Sequence, residues 1–350
     1  MSAPTSPGRV RAASGLTRSA ARALQLLLAL ALALAAAGVE VHVDPAGAWA
    51  DQVEAAGAGT TVVFAPGRYV NCSAGGVALA SGVALAGSAG AAATVIDCGG
   101  AGRHFAVGGG ASVQIDGLTL TGGAAPHEGN ISRDGGCVLV EGPGGSLVVA
   151  DSVFSNCSAD AWGGAIAVRG NATLNISRSN FTGNAAGEGG GSIYAAAGNV
   201  TLSDSVFSDC RSDAFGGALA VSGSAALSIS RSNFMGNAAG EAGGSIHATA
   251  GEVFLEDSVF SSCSAVKLGG VIAVSGSARL SISRSDFTGN NAGVEGGAVH
   301  ATAGEVTLAD SVFSSCSAVK WGGAIAVSGS AALTISRSNF TGNAAREGGA

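Results

Sequence analysis

The chain has 350 residues, of which 47% are hydrophobic but only 5% aromatic, and 58 are glycine. Side chains this small cannot fill a thick globular interior and suit a thin solenoid instead. Charged residues make up 12% and the net charge is −7, so there is no basic field to hold a phosphate backbone, and nucleic acid is excluded as a partner.

Residues 1–38 carry Arg9, Arg11, Arg18 and Arg22, then an apolar run from Ala23 to Ala37; the first acid is Glu40. This is the pattern of a secretory signal peptide cut near Ala37 or Gly38, and an organelle transit peptide is the alternative reading of the same start. The run of about 15 residues falls short of the ~20 that a membrane helix needs. A secreted or cell-surface location is therefore expected. Eight Asn-x-Ser/Thr triplets follow, at Asn71, Asn130, Asn156, Asn171, Asn175, Asn180, Asn199 and Asn339. They fit the secretory route, although a repeat rich in Asn, Ser and Thr also makes such triplets by composition alone. Seven cysteines leave at least one thiol unpaired within the chain.

Residues 39–150 are expected to form an N-terminal cap and the first coils, and 151–350 a tandem array. Between them, the insert from Gly122 to Asp134 makes the step from Leu120 to Phe154 longer than any step within the array. It reads either as a tolerated surface insertion or as the irregular loop that carries function in many solenoids.

The array is defined by Asp-Ser-Val-Phe, which begins at Asp151, Asp204, Asp257 and Asp310, a strict step of 53. Each unit splits into two coils, because Phe154, Phe181, Phe207, Phe234, Phe260, Phe287, Phe313 and Phe340 follow at alternating steps of 27 and 26. Seven and five positions before these rings stand apolar pairs such as Leu174 and Ile176 or Val200 and Leu202, the period-two signature of a strand with one face inward. A Ser two before each Phe breaks that phase, which requires a corner. Gly-Gly, as in Gly163-Gly164-Ala165-Ile166 and Gly322-Gly323-Ala324-Ile325, then turns the chain into another strand. Two to three short strands per coil predict an all-β, right-handed parallel β-helix with coils stacked ~4.8 Å apart.

Stacking converts recurrence into columns. The eight Phe form an internal ladder. Three positions on, Cys157, Cys210, Cys263 and Cys316 alternate with Asn184, Asn237, Asn290 and Asn343. Cysteines two coils apart, at ~9.6 Å, lie too far for a disulfide, which predicts small buried apolar residues at these four sites. Three before each Phe, Asp151, Arg178, Asp204, Arg231, Asp257, Arg284, Asp310 and Arg337 alternate in sign, and are expected to fix register at the corner.

At Phe181-Thr182-Gly183-Asn184, Phe234-Met235-Gly236-Asn237, Phe287-Thr288-Gly289-Asn290 and Phe340-Thr341-Gly342-Asn343, together with the Gly-Gly-Ala-Ile strings, the sequence resembles the polymorphic outer membrane proteins of chlamydiae. Phe154, Phe207, Phe260 and Phe313 depart by carrying Cys in the Asn place. The resemblance implies a surface adhesin-like passenger. Such proteins end in a membrane-inserted barrel, so membrane association is expected only through a part beyond Ala350, where the chain stops inside a strand pattern. Residues 47–125 resemble the opening of the wider pectin-lyase-like superfamily. That likeness implies a helix and strand within Asp51–Tyr69, early coils at Val95–Gly99 and Ile115–Leu120, and Leu120 in the Phe column.

The superfamily also hosts polysaccharide enzymes, and glycoside hydrolysis needs carboxylates converging at one site. Here most acids of the array are copied in every two-coil unit, so no catalytic residue, metal or cofactor is expected. His247 and His300 share one register with Tyr194 and read as strand side chains with solvated rings, too far apart to share a zinc. Trp162, Phe215, Leu268 and Trp321 precede Gly-Gly in alternate coils. They read either as caps of the coil edge or as apolar platforms ~9.6 Å apart, suited to stacking on sugar rings or docking a protein. The expected function is a non-catalytic secreted or cell-surface scaffold that binds polysaccharide or a cell-surface protein. The alternative is a polysaccharide lyase or glycoside hydrolase.

Overall fold

A computed structural model describes residues 38–125 and 132–347. The expected signal segment and the Asn130 triplet within the insert lie outside the described residues. From Glu40 the chain winds as a right-handed parallel β-solenoid of about ten turns. A short helix, α1 (Trp49–Glu54), packs Trp49 and Val53 into the first coils.

The coil containing Phe181 illustrates the path. A five-residue strand, Thr173–Ser177, belongs to the first sheet. Arg178 turns a corner into Asn180–Thr182 of the second sheet. Ala185–Ala186 contributes two residues to a third, and after Gly190-Gly191 the chain enters Ile193–Ala195 of the fourth. Among the described residues these sheets hold 12, 11, 8 and 10 strands, each paired in parallel with its counterpart one coil away. The expected two to three strands per coil thus becomes four in the array. The additional strand is two residues long, too short for alternation to register in sequence.

The corner explains the phase break. Its eight Asp and Arg residues all take left-handed backbone, with φ of 46–52°, a conformation that costs a non-glycine residue roughly 1–2 kcal/mol. The following Ser compensates. Ser179 Oγ donates to the Ser177 carbonyl at 2.8 Å across the corner and accepts from the Ser152 amide of the previous coil at 3.2 Å. The same pattern recurs at Ser205, Ser232, Ser258 and Ser285, so groups freed by the corner are satisfied by a column of hydroxyls. Outside, Arg178 clasps Asp151 through two hydrogen bonds of 2.8 and 2.6 Å, and Arg231 clasps Asp204 at 2.7 and 2.8 Å. The charges form closed pairs, each Arg with the Asp one coil earlier, instead of a continuous ladder. Arg284 adds Glu256 to its pair with Asp257.

Inside, Phe154 through Phe340 stack with centroids 4.6–4.9 Å apart and planes within 15° of parallel. Leu120, Ile96 and Tyr69 continue the column toward the helix. The asparagines serve the turn beyond it: Asn184 donates to the Phe154 carbonyl at 3.0 Å and accepts from the Cys157 amide at 2.9 Å. Asn237, Asn290 and Asn343 repeat both bonds on the coils before them. At Gly-Gly the two glycines do different things. Gly163 has φ of 68°, whereas a Cβ on Gly164 would overlap the Gly191 carbonyl oxygen of the next coil.

The cysteine expectation is corrected at one position. Cys157 forms a disulfide with Cys137, whose Cα is 5.7 Å away, and Cys72 pairs with Cys98 at 5.1 Å. The column spacing excludes bridges within the column, but Cys137 stands outside it, at the end of the insert just before the fourth-sheet strand Val138–Val140. Cys210, Cys263 and Cys316 are free and buried, as expected.

Two outcomes follow. Phe234→Ala removes a fully buried ring from mid-column, for which we expect a loss of about 3–5 kcal/mol in chemical denaturation, and a much smaller loss for Phe340→Ala, whose ring is 40% exposed. Burial pushes the Cys210 thiol up to about 11, so an aromatic disulfide reagent should titrate no thiol in the native protein and three after denaturation. Reaction of the folded chain would contradict the burial described.

Candidate functional site

On the outside of the fourth sheet, two columns run side by side. One is the middle residue of each strand: Ala167, Tyr194, Ala220, His247, Ala273 and His300 in successive coils. The other is the residue before Gly-Gly: Trp162, Gly189, Phe215, Ala242, Leu268, Glu295 and Trp321, linked by single parallel bridges. Because the repeat is two coils long, a large residue in one column lies diagonally across from a large residue in the other, one coil on. Small residues fill most of the remaining places.

This pattern pairs rings. Trp162 packs on Tyr194 with centroids 4.6 Å apart, and Phe215 on His247 at 4.7 Å. A Cβ on Gly189 would meet the Trp162 indole, so the small residue there lets the ring lean over its neighbouring coil. Between the two pairs lies a groove of about 350 Å³, floored by Ala220 and Val221 and bordered by Ser222, Thr249 and Ser275. Tyr194 Oη and Ser222 Oγ are hydrogen-bonded at 3.0 Å. None of the lining residues carries a formal charge, since burial lowers the His247 pKa to about 4 and keeps its ring neutral near pH 7.

The first ring is held from behind. Asp134, fully buried at the end of the insert, accepts from the Trp162 amide at 3.1 Å and pairs with Arg169. Arg103, also buried, binds the Asp134 and Gly135 carbonyls at 2.6 and 2.7 Å. The end of the insert therefore positions the Trp162 loop.

Trp162, Phe215, Leu268 and Trp321 do share one column at a two-coil step, as the sequence indicates. Trp162, Phe215 and Leu268 are partly buried, while Trp321 is 49% exposed with the Lys320 ammonium 5.9 Å from its ring. The expectation of solvated rings at His247 and His300 is overturned. Phe215 covers His247, and His300 is buried with Glu295 Oε2 at 3.3 Å. Sequence reasoning places Tyr194 and His247 in one register but misses that they wall the groove, because each pair joins a loop residue of one coil to a strand residue of the next.

A separate cluster lies near α1, where the Cys72 and Cys98 sulfurs and a ring nitrogen of His104 are within 4.8 Å of one another. The sulfurs are joined in a disulfide and so offer no thiolates to a metal.

Residues 69–260 match the family described as right handed beta helix region. No curated protein matches the sequence. Among solved structures, the chain is similar to the PL6 family alginate lyase AlyGC, at 11% identity and a TM-score of 0.52, over 87% of this chain and 40% of that one. It thus spans about two fifths of the lyase. It is also similar to the A-module of the Azotobacter vinelandii mannuronan C-5 epimerase AlgE4, at 16% identity and a TM-score of 0.49, over 88% and 86% of the two chains. At these identities the likeness is one of fold.

His104, fully buried, and His247, partly buried under Phe215, give a pH dependence with a definite sign. Burial lowers His104 and His247 from 6.5 to about 4, so between those values the unfolded chain binds more protons than the folded one. Stability should fall as pH drops from about 6.5 toward 4, read as a decreasing Tm. Substituting both rings, His104→Leu with His247→Phe, should flatten that part of the curve; an unaltered slope would show that the rings are not buried.

Proposed function

The chain belongs to the right-handed β-helix family, and on this scaffold we propose that it is a non-catalytic, secreted or cell-surface protein that binds polysaccharide through the aromatic groove of the fourth sheet. The observation that carries the reading is the groove itself, in which Trp162–Tyr194 and Phe215–His247 flank a slot bordered by hydroxyls. Aromatic faces attract the weakly positive C–H groups of a sugar ring, while hydroxyls exchange hydrogen bonds with its own. The resemblance of the Phe-x-x-Asn and Gly-Gly-Ala-Ile repeats to chlamydial surface proteins supports display outside the cell, with an adhesin-like role. Farther along the rod Trp321 supplies a weaker, single-ring version of the same contact and Leu268 only an apolar one, so binding is multivalent.

A second reading, a polysaccharide lyase or glycoside hydrolase, draws on the fold shared with the alginate lyase. Hydrolysis uses a pair of carboxylates flanking the bond, and among the described residues no carboxylate lines this groove.

Trp162→Ala and Phe215→Ala should each weaken binding to insoluble cell-wall polysaccharide about fivefold to tenfold, from ~1–1.5 kcal/mol of lost ring contact. Pull-down isotherms measure this, alongside chromatography of the supernatant for released oligosaccharides. Unchanged binding in both variants would remove the groove from the function. Released oligosaccharides, abolished by one carboxylate substitution, would establish the enzyme reading.

A further inference from the structure

We infer that the groove takes one ring of an uncharged glycan between its two aromatic pairs and discriminates against uronic acid chains. This rests on the polysaccharide reading above and names the class of sugar.

The space suits a sugar ring. Tyr194 and His247 stand at one register with Ala220 between them, hence two coils or ~9.6 Å apart. Phe215, on the intervening coil, stacks on His247 and takes up part of that step, so the room for a ligand is the groove of about 350 Å³ itself, within the range of small-molecule sites and enough for a single pyranose, with the methyl of Ala220 leaving the floor open.

Charge then selects among sugars. Hydroxyls of Tyr194, Ser222, Thr249 and Ser275 can each donate and accept, which matches the dual character of sugar hydroxyls. A carboxylate entering the groove would lose hydration with no cation to replace it. The column that holds Ser222 and Thr249 carries Arg169 two coils before Ser222, and that guanidinium is committed to buried Asp134. Lys267, beside Leu268, is paired with Glu241 at 2.6 Å. Exposed Glu188 adjoins Gly189, the bridge partner of both Trp162 and Phe215, and exposed Asp213 lies two residues before Phe215. Exposed Arg211 lies two residues before Asp213, so these three neighbours together leave one negative charge and no net cation to draw in an anionic chain, beside a lining that carries no charge.

The test uses the full chain and calorimetric titration with defined hexasaccharides: neutral β-glucan and mannan, against oligomannuronate and oligogalacturonate of equal length, at low and high salt. We expect neutral oligomers to bind at least about tenfold more tightly than uronates at low salt, with the gap narrowing as salt rises. Thr249→Arg should raise uronate binding by about tenfold, because it sets a cation at the groove edge. Tyr194→Ala should weaken neutral binding. Uronates binding as tightly as neutral oligomers in the unaltered protein would overturn the inference while leaving the groove as the site. Binding of neither class, or neutral binding indifferent to Tyr194→Ala, would overturn both the inference and the groove reading.

Discussion

Every side chain in the array rests on its own counterpart in the next coil, and the hydrogen-bonded parallel register that enforces this is the constraint on which the rest depends. The Phe column shows it most directly, since rings one full coil apart along the chain stack at 4.6–4.9 Å, the strand spacing of a sheet. Once that distance is imposed, a polar group buried in one coil must find its partners in that coil or in the coils directly beside it. The Ser hydroxyls and Asn amides are therefore placed so that each satisfies the coil before it. A buried amide column would be costly if any member lacked partners; here each Asn side chain both donates and accepts.

Much of this is legible in sequence because the period converts position into space. The step between Phe residues fixes the coil length, the Ser after the corner marks the phase break, and Gly-Gly marks the second turn. What sequence does not reveal is what crosses between columns. The disulfide between Cys137 and Cys157 joins the coil that contains the insert to the first array coil, and a within-column distance says nothing about it. The Trp162–Tyr194 and Phe215–His247 pairs also cross columns, and their separation along the chain matches neither the coil nor the repeat. The two-residue strands of the third sheet are hidden for a simpler reason: so short a stretch carries no periodicity.

The candidate site arises from a mismatch between two lengths. The backbone repeats every coil, while the sequence repeats every second coil, so the outer face carries relief that the backbone alone would not create. Where a backbone period and a side-chain period agree, the face of a solenoid is a flat ladder. Where one is double the other, rings and gaps alternate, and a gap between rings is a place for a ligand. The inner columns use the same doubling differently, with Cys and Asn alternating so that each amide spans the turn of the coil beneath.

The two-coil pattern also restricts how such a gene can change length. Loss of a single Arg-type coil by unequal recombination would set Asp on Asp at the corner and bring two Trp162-type residues into adjoining coils, where Gly189 now makes room for the indole, whereas loss of an Asp-type coil would set Arg on Arg and put Asn beneath Asn. Exchange of a whole two-coil unit leaves every neighbour relation intact. The array can therefore grow or shrink in pairs of coils without passing through a poorly packed intermediate, and strain-to-strain length variation, where it occurs, should be quantised in that unit.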